Sequence, residues 1–238
     1  MDWFTTNTPL IIGHRGASAT APENTLAAFA QAVALGADGV ELDVQLSADG
    51  WPVVCHDFRV DRVTNGTGLV TQMTVAQLHA LDAGQGEYIP TLDEVFELLG
   101  PDMLINVELK SWDWRDKGLE TAVADRIQSH NRDRQVLVSS FNPIALRRAR
   151  RHLTQSTPLG ILRAQGWLQY SYLFSSSAAD HPHHAMVNEA YMAWAKQRGY
   201  RVHVWTVDEP AEAQRLATLG VHGIITNKPD LIRASLNK

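Results

Sequence analysis

Two acidic side chains stand two residues apart within an apolar run. Glu41 and Asp43 alternate with Val40, Leu42 and Val44, and alternate side chains of a β-strand point to the same face. At a rise of roughly 3.3 Å per residue, the two carboxylates would lie about 6.6 Å apart along the strand. Oxygen ligands lie roughly 2.0–2.6 Å from Mg²⁺ or Ca²⁺, so this pair could hold one cation from two sides. A half-exposed surface strand would show the same alternation.

A second run repeats this arrangement and argues against the surface-strand interpretation. Glu108 and Lys110 face one way, whereas Ile105, Val107 and Leu109 face the other. Three carboxylates that offer only oxygen ligands favour Mg²⁺, Ca²⁺ or Mn²⁺ over Zn²⁺. Each could singly be an ion-paired group, but three at strand ends together predict a metal site. The ammonium of Lys110 could pair with Glu108 or contact a substrate anion.

Two histidines and an arginine accompany the carboxylates. His14 and His56 each end a predicted strand, and histidine can act as general acid or base near neutral pH. A single histidine at a strand end is more often only hydrogen-bonded, but two beside a carboxylate cluster suggest catalysis. The guanidinium of Arg15 has the fork geometry that suits phosphate oxygens. Together these groups suit a phosphorylated substrate.

Other polar and aromatic groups have simpler alternatives. His181, His183 and His184 could form a second metal site, but they lie in the stretch whose secondary structure is hardest to predict. Trp112 and Trp114 could cage a quaternary ammonium group, although a lid or a packing role is the simpler interpretation.

The order of predicted elements indicates how these residues are brought together. Apolar runs centred near residues 11, 41, 106, 138, 160, 179, 203 and 225 alternate with helical patterns. Eight alternations predict an α/β fold of the (β/α)₈ TIM-barrel type. A doubly wound open sheet is the alternative, but no Gly-x-Gly-x-x-Gly pattern follows the first strand. Active-site residues of a barrel lie at the carboxyl ends of the strands, which is where the pattern places His14, Glu41, Asp43, Glu108, Lys110 and Phe141.

One connection departs from the strand–helix alternation. A turn at 47–50 separates the second strand from the run at 52–57 with no helix between them. A parallel crossover needs a dozen or more residues, so the run must fold back as an antiparallel hairpin. This brings His56 close to Glu41 and Asp43. Residues 58–90 then read as a small insertion with a short helix near 74–81.

Other boundaries follow from capping signals. Pro22 suits the first position of a helix and Glu23 its positive end, with Gly36 as the stop. Thr91 is predicted to cap another helix. Between 166 and 184 the pattern is weak, and the strand that a barrel needs is placed near 178–181.

Composition limits the class of protein. With 238 residues and 45% hydrophobic residues, the chain is long enough for one large α/β domain or two small ones. The predicted barrel uses the whole length as a single domain over 1–238. A formal net charge of −5 argues against nucleic acid or an acidic membrane surface as the main partner. Cys55 is the only cysteine, so neither an internal disulfide nor a cysteine-based metal site can form.

Targeting signals are also absent from the sequence pattern. Residues 1–7 lack the charged and apolar regions of a secretory leader. No apolar run approaches the roughly 20 residues that span a bilayer. A cytoplasmic location without membrane insertion is therefore expected. The sequence does not indicate an oligomeric state.

Short motifs in a fixed order carry a family resemblance. Gly13-His14-Arg15-Gly16, Glu41-Leu42-Asp43, His56-Asp57 and Glu108-Leu109-Lys110 occur in that order. They are joined by Pro22-Glu23-Asn24-Thr25, Ser139-Ser140-Phe141, Trp205-Thr206-Val207 and Ile224-Ile225-Thr226. The chain resembles the glycerophosphodiester phosphodiesterase family over nearly its whole length, in the short form typical of cytoplasmic bacterial enzymes. Any single motif would be weak evidence, whereas the combination is specific.

The resemblance implies a function and roles for several residues. It implies a TIM barrel with an insertion after the hairpin, and hydrolysis of glycerophosphodiesters such as glycerophosphocholine and glycerophosphoethanolamine to sn-glycerol 3-phosphate and an alcohol. It also implies that Glu41, Asp43 and Glu108 ligate Mg²⁺ or Ca²⁺, with His14 and His56 as the acid–base pair. Arg15, Lys110, Phe141 and Trp205 would contact the substrate. These reactions belong to lipid and glycerol metabolism.

Two residues depart from the common family pattern. Asp208 follows Trp-Thr-Val where many relatives have Asn, and Asn227 follows Ile-Ile-Thr where many have Asp. These changes bear on local loop contacts and on substrate preference, but not on the predicted metal ligands. A catalytically silent barrel that binds phosphodiesters is the alternative function. The complete set of ligands and histidines favours the enzyme.

Overall fold

A closed ring of eight parallel strands forms the centre of the computed structural model, which describes residues 3–4 and 8–237. The first strand, β1, pairs with both the second and the last strand, which closes the ring. The predicted TIM barrel is therefore confirmed, and the open-sheet alternative is wrong. The barrel strands are β1 Leu10–His14, β2 Gly39–Leu46, β4 Leu104–Leu109, β5 Val136–Ser140, β6 Leu159–Arg163, β7 Ala179–Pro182, β8 Arg201–Val204 and β9 Gly223–Thr226.

A ninth strand, β3 (Pro52–Val54), forms the predicted hairpin with β2. The β1 strand pairs with β2 only as far as the His14–Glu41 pair. At Val44, β2 pairs with β4 on one side and with β3 on the other. The strand β3 therefore pairs with the edge of β2 that β1 occupies earlier in the strand, beyond the point where β1 ends. This arrangement places the chain that follows β3 on the same side of β2 as His14.

Helices surround the ring and mostly follow the strands in sequence. The α-helices are α1 Leu26–Ala34, α2 Val75–His79, α3 Leu92–Leu98, α4 Leu119–Ser129, α5 Pro143–Ala149, α6 Glu189–Gln197, α7 Pro210–Thr218 and α8 Pro229–Leu236, with 3₁₀ helices at Val70–Gln72, Gly166–Phe174 and His184–Met186. The sequence pattern did not reveal α8 or the Gly166–Phe174 helix. None of the helices in the described residues is long and apolar enough to cross a bilayer. Residues 1–7, where no secretory leader is expected, lie partly outside the described residues.

The predicted start of the first helix at Pro22 is wrong. The helix begins at Leu26, where the Thr25 side chain accepts a hydrogen bond from the amide of Ala28. The backbone of Asn24 adopts a positive φ of 59°, which a right-handed helix cannot continue through. Glu23 consequently lies in a turn rather than at the positive end of a helix. By contrast, Thr91 caps α3 as predicted: its hydroxyl accepts a hydrogen bond from the amide of Glu94, and the Glu94 carboxylate accepts one from the amide of Thr91.

The two faces of the strands pack against different partners. Val40, Leu42 and Val44 of β2 belong to the large apolar cluster beneath the outer helices. The inward residues of the lower barrel form a separate apolar cluster that includes Ile12. Trp3 closes this end of the barrel, because its indole nitrogen donates a 2.9 Å hydrogen bond to the carbonyl of Gln135. The carboxylates of Glu41, Asp43 and Glu108 lie farther along β2 and β4, toward the carboxyl ends of the strands.

The segment at 58–90 has a small apolar core of its own, which we call the insertion cluster. It contains Val53, Cys55, Val60, Val70, Leu78 and Ile89, all buried. The helix predicted near 74–81 is present as α2, which begins with a capping box between Thr74 and Gln77. The predicted insertion therefore packs on the hairpin rather than on the barrel core.

Candidate active site

Three buried carboxylates meet at the carboxyl ends of β2 and β4. The strand register places Asp43 directly beside Glu108, and Glu41 lies one side-chain layer below on the same face. Potential ligand atoms of the three residues all lie within 4.8 Å of one another. In the part of the chain that the structure describes, this is the only such group of three or more possible metal ligands.

The electrostatics of this cluster favour a bound cation. Burial raises the pKa of Glu41 well above its usual range, and the neighbouring carboxylates of Asp43 and Glu108 raise it further. Burial also raises the pKa of Glu108 to about 7, although Lys110 opposes this shift. Burial disfavours ionised Asp43 as well, but Lys110 and Arg15 together bring its pKa below the usual value. The three side chains supply only oxygen ligands, and a dication bound among them would offset the repulsion that remains between their negative charges.

Two cationic side chains partly neutralise the cluster. The Nζ atom of Lys110 lies 2.8 Å from Oε1 of Glu108 and 3.3 Å from Oδ1 of Asp43. The Nε atom of Arg15 lies 3.3 Å from Oδ2 of Asp43 without a well-directed hydrogen bond, and Nη1 pairs with Glu23 at 2.9 Å. The predicted pairing of Lys110 with Glu108 is therefore present and extends to a second carboxylate.

His14 ends β1 beside the cluster. Its Nε2 atom lies 4.0 Å from Oε2 of Glu41, and its Nδ1 atom lies 2.7 Å from Oδ1 of Asn227. Burial and the nearby guanidinium of Arg15 lower the pKa of His14. The turn that follows is tight, because a Cβ atom at Gly16 would lie only 2.5 Å from the backbone of Ala28. The glycine of the Gly-His-Arg-Gly motif thus lets α1 approach the histidine.

His56 reaches the same cavity from the end of the hairpin. Its Nδ1 atom lies 2.6 Å from Oδ1 of Asp57. The other oxygen of Asp57 accepts a 2.6 Å bond from Arg62, whose remaining nitrogens donate to Glu23. Arg62 lowers the pKa of Asp57 to about 2. Sequence reasoning missed Arg62, because nothing in the spacing indicates that the insertion folds back onto Glu23.

Aromatic side chains form one wall of the cavity. The rings of Phe141 and Trp205 are perpendicular, at 88°, with centroids 5.5 Å apart. Trp112 stacks on Phe141 with centroids 6.1 Å apart. The indole nitrogen of Trp205 donates a 2.8 Å bond to the carbonyl of His181, which fixes the ring. Trp114, in contrast, is largely exposed and stacks with Arg115.

The cavity that these residues enclose has a volume of about 70 Å³. Of the nine predicted site residues, all but Asp43 line it, and Asp43 lies within the carboxylate cluster below. A larger groove of about 540 Å³ lies between α5 and the Gly166–Phe174 helix, but neither a carboxylate nor a histidine lines it. The chemistry therefore belongs to the smaller cavity.

The structure does not bring His181, His183 and His184 together as a metal site. His181 lies inside the barrel, where its Nε2 atom is 3.2 Å from Nδ1 of His203. His183 accepts a bond from the amide of Ala185, and His184 pairs with Glu212 at 2.7 Å. The strand β7 ends at Pro182, so His181 points into the barrel while His183 and His184 lie in the turn and 3₁₀ helix that follow. The second metal site that these histidines could have formed is therefore not present among the described residues.

The whole chain resembles known proteins in sequence and in fold. The model of the glycerophosphoryl diester phosphodiesterase family matches residues 14–231. A glycerophosphodiester phosphodiesterase of Caldanaerobacter subterraneus subsp. tengcongensis is 40% identical over 233 residues, covering 94% of this chain and 96% of the relative. Another from Bacillus altitudinis is 35% identical, covering 92% and 95%.

Solved structures give the same result. An Oleispira antarctica phosphodiesterase in complex with the product sn-glycerol-3-phosphate superposes with a TM-score of 0.85 at 33% identity, covering 97% of this chain and 98% of that one. A protein from Silicibacter pomeroyi, described as a putative glycerophosphoryl diester phosphodiesterase, gives a TM-score of 0.87 at 26% identity, covering 97% and 94%.

Proposed function

This chain belongs to the glycerophosphoryl diester phosphodiesterase family and hydrolyses glycerophosphodiesters to sn-glycerol 3-phosphate and an alcohol, and we propose that His14 and His56 divide the acid–base work of that reaction. In this proposal a divalent cation, Mg²⁺ or Ca²⁺ with Mn²⁺ as a further possibility, is held by Glu41, Asp43 and Glu108. The small-molecule diester is the partner of the site.

The observation that carries the proposal is the difference between the two histidines at Nδ1. His56 faces the carboxylate of Asp57 at 2.6 Å, whereas His14 faces the amide oxygen of Asn227 at 2.7 Å. A carboxylate stabilises positive charge on an imidazole more than an amide does. His56 is thus suited to deliver a proton to the departing alkoxide. His14, whose pKa is lowered by burial, is suited to accept one from the attacking hydroxyl, which is water or the substrate's own glycerol hydroxyl.

The carboxylate cluster supports the cation as part of the proposal. The three buried carboxylates repel one another when ionised. The two positive charges of Lys110 and Arg15 do not balance their three negative charges. A dication held by these three residues would supply Lewis-acid stabilisation of the charge that develops on the phosphate. Lys110 holds Asp43 and Glu108 in place and presents its charge to the same cavity.

Four further side chains are proposed to bind the substrate. Arg15 and Lys110 offer positive charge to the phosphate, and Phe141 and Trp205 form the apolar wall of the cavity. A volume of about 70 Å³ suits a glycerol moiety but not an acyl chain. We therefore propose deacylated diesters, such as glycerophosphocholine and glycerophosphoethanolamine, as the substrates.

Three expectations from the sequence stay predictions. They are the single domain over 1–238 with its insertion at 58–90, the cytoplasmic location, and the lack of nucleic acid as a partner. Gel filtration with light scattering would add the oligomeric state.

An activity assay on both diesters, with and without EDTA, tests the proposal. We expect EDTA to abolish turnover, because the proposed reaction needs the bound cation. Addition of Mg²⁺, Ca²⁺ or Mn²⁺ should restore turnover, because carboxylate oxygens bind such hard cations. His14→Ala and His56→Ala should be strongly impaired, while His152→Ala, which removes an exposed histidine, should match the wild type. A cation-loaded wild type that binds the diesters without cleaving them would instead support the silent barrel.

A further inference from the structure

The side chain of Asn227 lies between His14 and Asp208. Its Oδ1 atom lies 2.7 Å from Nδ1 of His14, and its Nδ2 atom donates a 2.6 Å hydrogen bond to Oδ2 of Asp208. Asp208 is not among the residues that line the cavity. Its side-chain link to the histidine at the cavity is through the Asn227 amide.

The carboxylate of Asp208 determines which end of the Asn227 amide faces His14. An amide presents an acceptor at one end and two donors at the other, whereas an ionised carboxylate only accepts. Reversal of the amide would place two acceptors, the Asn227 oxygen and the Asp208 carboxylate, against each other. The Asn227 oxygen consequently points at His14. An imidazole nitrogen that faces an acceptor must carry the ring hydrogen.

Asp208 is itself held firmly. Its Oδ1 atom accepts a 2.8 Å bond from the backbone amide of Asn227 and a 2.9 Å bond from the hydroxyl of Thr226. Both Asp208 and Asn227 follow strands of the barrel, β8 and β9, so the pair links two strand ends. The Asp208 carboxylate is therefore held in place by hydrogen bonds at both oxygens, and it fixes the orientation of the Asn227 amide.

The only other side chain bonded to Asn227 Oδ1 in the described residues is a weaker determinant. The Ser18 hydroxyl lies 2.7 Å from Asn227 Oδ1 and 2.8 Å from the carbonyl oxygen of His14. A hydroxyl has one hydrogen, and both of these partners are acceptors. Ser18 can satisfy only one of them well at a time.

We propose that Asp208 is a positioning residue, which acts through Asn227 to keep the hydrogen of neutral His14 on Nδ1 and so leaves Nε2 free to accept a proton at the cavity. This inference rests on the proposed role of His14 as the base. A purely structural role, in which Asp208 only ties the ends of β8 and β9 together, is the competing explanation.

An exchange of the two side chains separates these explanations. Asp208→Asn removes the acceptor-only partner, so the Asn227 amide can reverse. We expect kcat to fall roughly tenfold to a hundredfold, as is typical for groups that orient a reacting residue, with KM nearly unchanged. Asn227→Asp alone brings two carboxylates together and should also impair kcat. The double variant Asp208→Asn, Asn227→Asp again offers an oxygen to His14 and a donor to that oxygen's side chain, so it should restore the Nδ1–H form. It should recover only part of the lost kcat, because a carboxylate beside Nδ1 also favours positive charge on the ring.

The ring hydrogen can be observed directly. The ¹⁵N shifts of His14, assigned by comparison with His14→Gln, report which nitrogen carries the hydrogen at about pH 8, where histidine is largely neutral. We expect the Nδ1–H form in the wild type and in the double variant, and a mixture in Asp208→Asn. Asp230→Asn, which removes an exposed carboxylate from the first turn of α8, is the matched control for lost charge.

Each outcome decides between the explanations. Wild-type kcat in Asp208→Asn, an unchanged His14 tautomer in that variant, or a double variant no better than the worse single variant would each overturn the inference. If instead His14→Ala stays fully active, the proposed function of His14 fails, whatever the tautomer. The two failures are distinguishable because the ¹⁵N measurement does not depend on turnover.

Discussion

The Nδ1 atom of His56 lies 2.6 Å from Oδ1 of Asp57, one residue further along the chain. This pairing distinguishes His56 from His14, whose corresponding atom faces a neutral amide. The two histidines stand along the same edge of β2, where β1 ends and the hairpin begins. Both histidines therefore line the same cavity beside the proposed metal ligands.

The first prediction uses the leaving group to tell acid from base. Choline leaves as a basic alkoxide and needs a proton, whereas p-nitrophenolate does not. Because a general acid contributes about 10²–10⁴-fold, His56→Ala should lose on that order with glycerophosphocholine. The loss should be far smaller with a glycerophospho-p-nitrophenyl ester. His14→Ala should be impaired on both substrates, since both need an activated nucleophile.

The measurement is kcat/KM for each variant on each ester at saturating cation. The reverse pattern would exchange the two roles, and equal losses in all four measurements would remove the support for either assignment. His152→Ala controls for the loss of an imidazole elsewhere on the surface.

The second prediction concerns competition between protons and the cation. The pKa of Glu108 is about 7 in the folded protein and near 4.5 when unperturbed. Without metal, the folded state therefore binds more protons, so this group's contribution to stability is complete below pH 4.5 and is lost as pH rises through 7. A cation replaces that proton, and it should raise the melting temperature more at about pH 8 than at about pH 6.

Thermal melts with Ca²⁺ or EDTA at both pH values provide the measurement. Glu108→Gln should lose most of the cation-induced shift, and Glu41→Gln and Asp43→Asn should lose activity while remaining folded. A shift of equal size at both pH values would contradict the competition. Full activity in any of the three variants would remove that residue from the proposed ligands.

The third prediction concerns Arg62, which bridges Asp57 and Glu23. Arg62→Ala releases the carboxylate that orients His56, so activity on glycerophosphocholine should fall several-fold while the p-nitrophenyl ester is spared. Arg59→Ala is a matched control, because Arg59 forms an ion pair with the exposed Asp61 in the same insertion. Similar losses in both variants, on both esters, would show a general loosening of the insertion instead.

The fourth prediction concerns acid stability. Burial lowers the pKa of His181 to about 3 from 6.5. The unfolded chain therefore binds more protons between these values, so the stability due to His181 is complete above pH 6.5 and is lost as pH falls toward 3. Between pH 7 and pH 5 the free energy of unfolding should fall by about 2 kcal/mol more in the wild type than in His181→Gln. Urea titrations at both pH values measure this difference, and parallel behaviour of the two proteins would argue against a buried neutral imidazole.

The fifth prediction concerns substrate size. The cavity of about 70 Å³ is walled by Phe141 and Trp205, so glycerophosphocholine should be cleaved and diacyl phosphatidylcholine should be a poor substrate. Release of choline from each, measured under the same detergent conditions, tests the prediction. Comparable rates on the two would contradict a site of glycerol size. Truncation of the wall in Phe141→Ala should narrow the difference between them.

Much of the site could be predicted because strand periodicity is local. The alternation around Glu41 and Asp43 fixes their face, and the short turn at 47–50 requires a hairpin, which places His56. The barrel also follows from local patterns, including the weak strand that the structure places at Ala179–Pro182.

Contacts between distant loops were beyond such reasoning. The family resemblance draws attention to Asp208 and Asn227, but only the fold shows that their side chains are bonded to each other and that Asn227 contacts His14. The start of α1 was misplaced for a similar reason. Asn24 has a non-helical backbone conformation, and its side chain donates a hydrogen bond to Asp43, 19 residues away. Helix propensity depends on neighbouring residues and therefore cannot predict that contact.

The insertion cluster has a consequence for how such an enzyme can change over time. Cys55, immediately before His56, packs in this cluster together with residues of 58–90, whereas His14 and the carboxylates belong to the barrel strands. The proposed acid therefore adjoins the insertion cluster, whereas the proposed base lies in the barrel. If the two roles are as proposed, replacement of residues 58–90 by the corresponding segment of a relative would change the surroundings of His56. The preference for leaving groups would then change while the barrel strands that hold His14 stay the same.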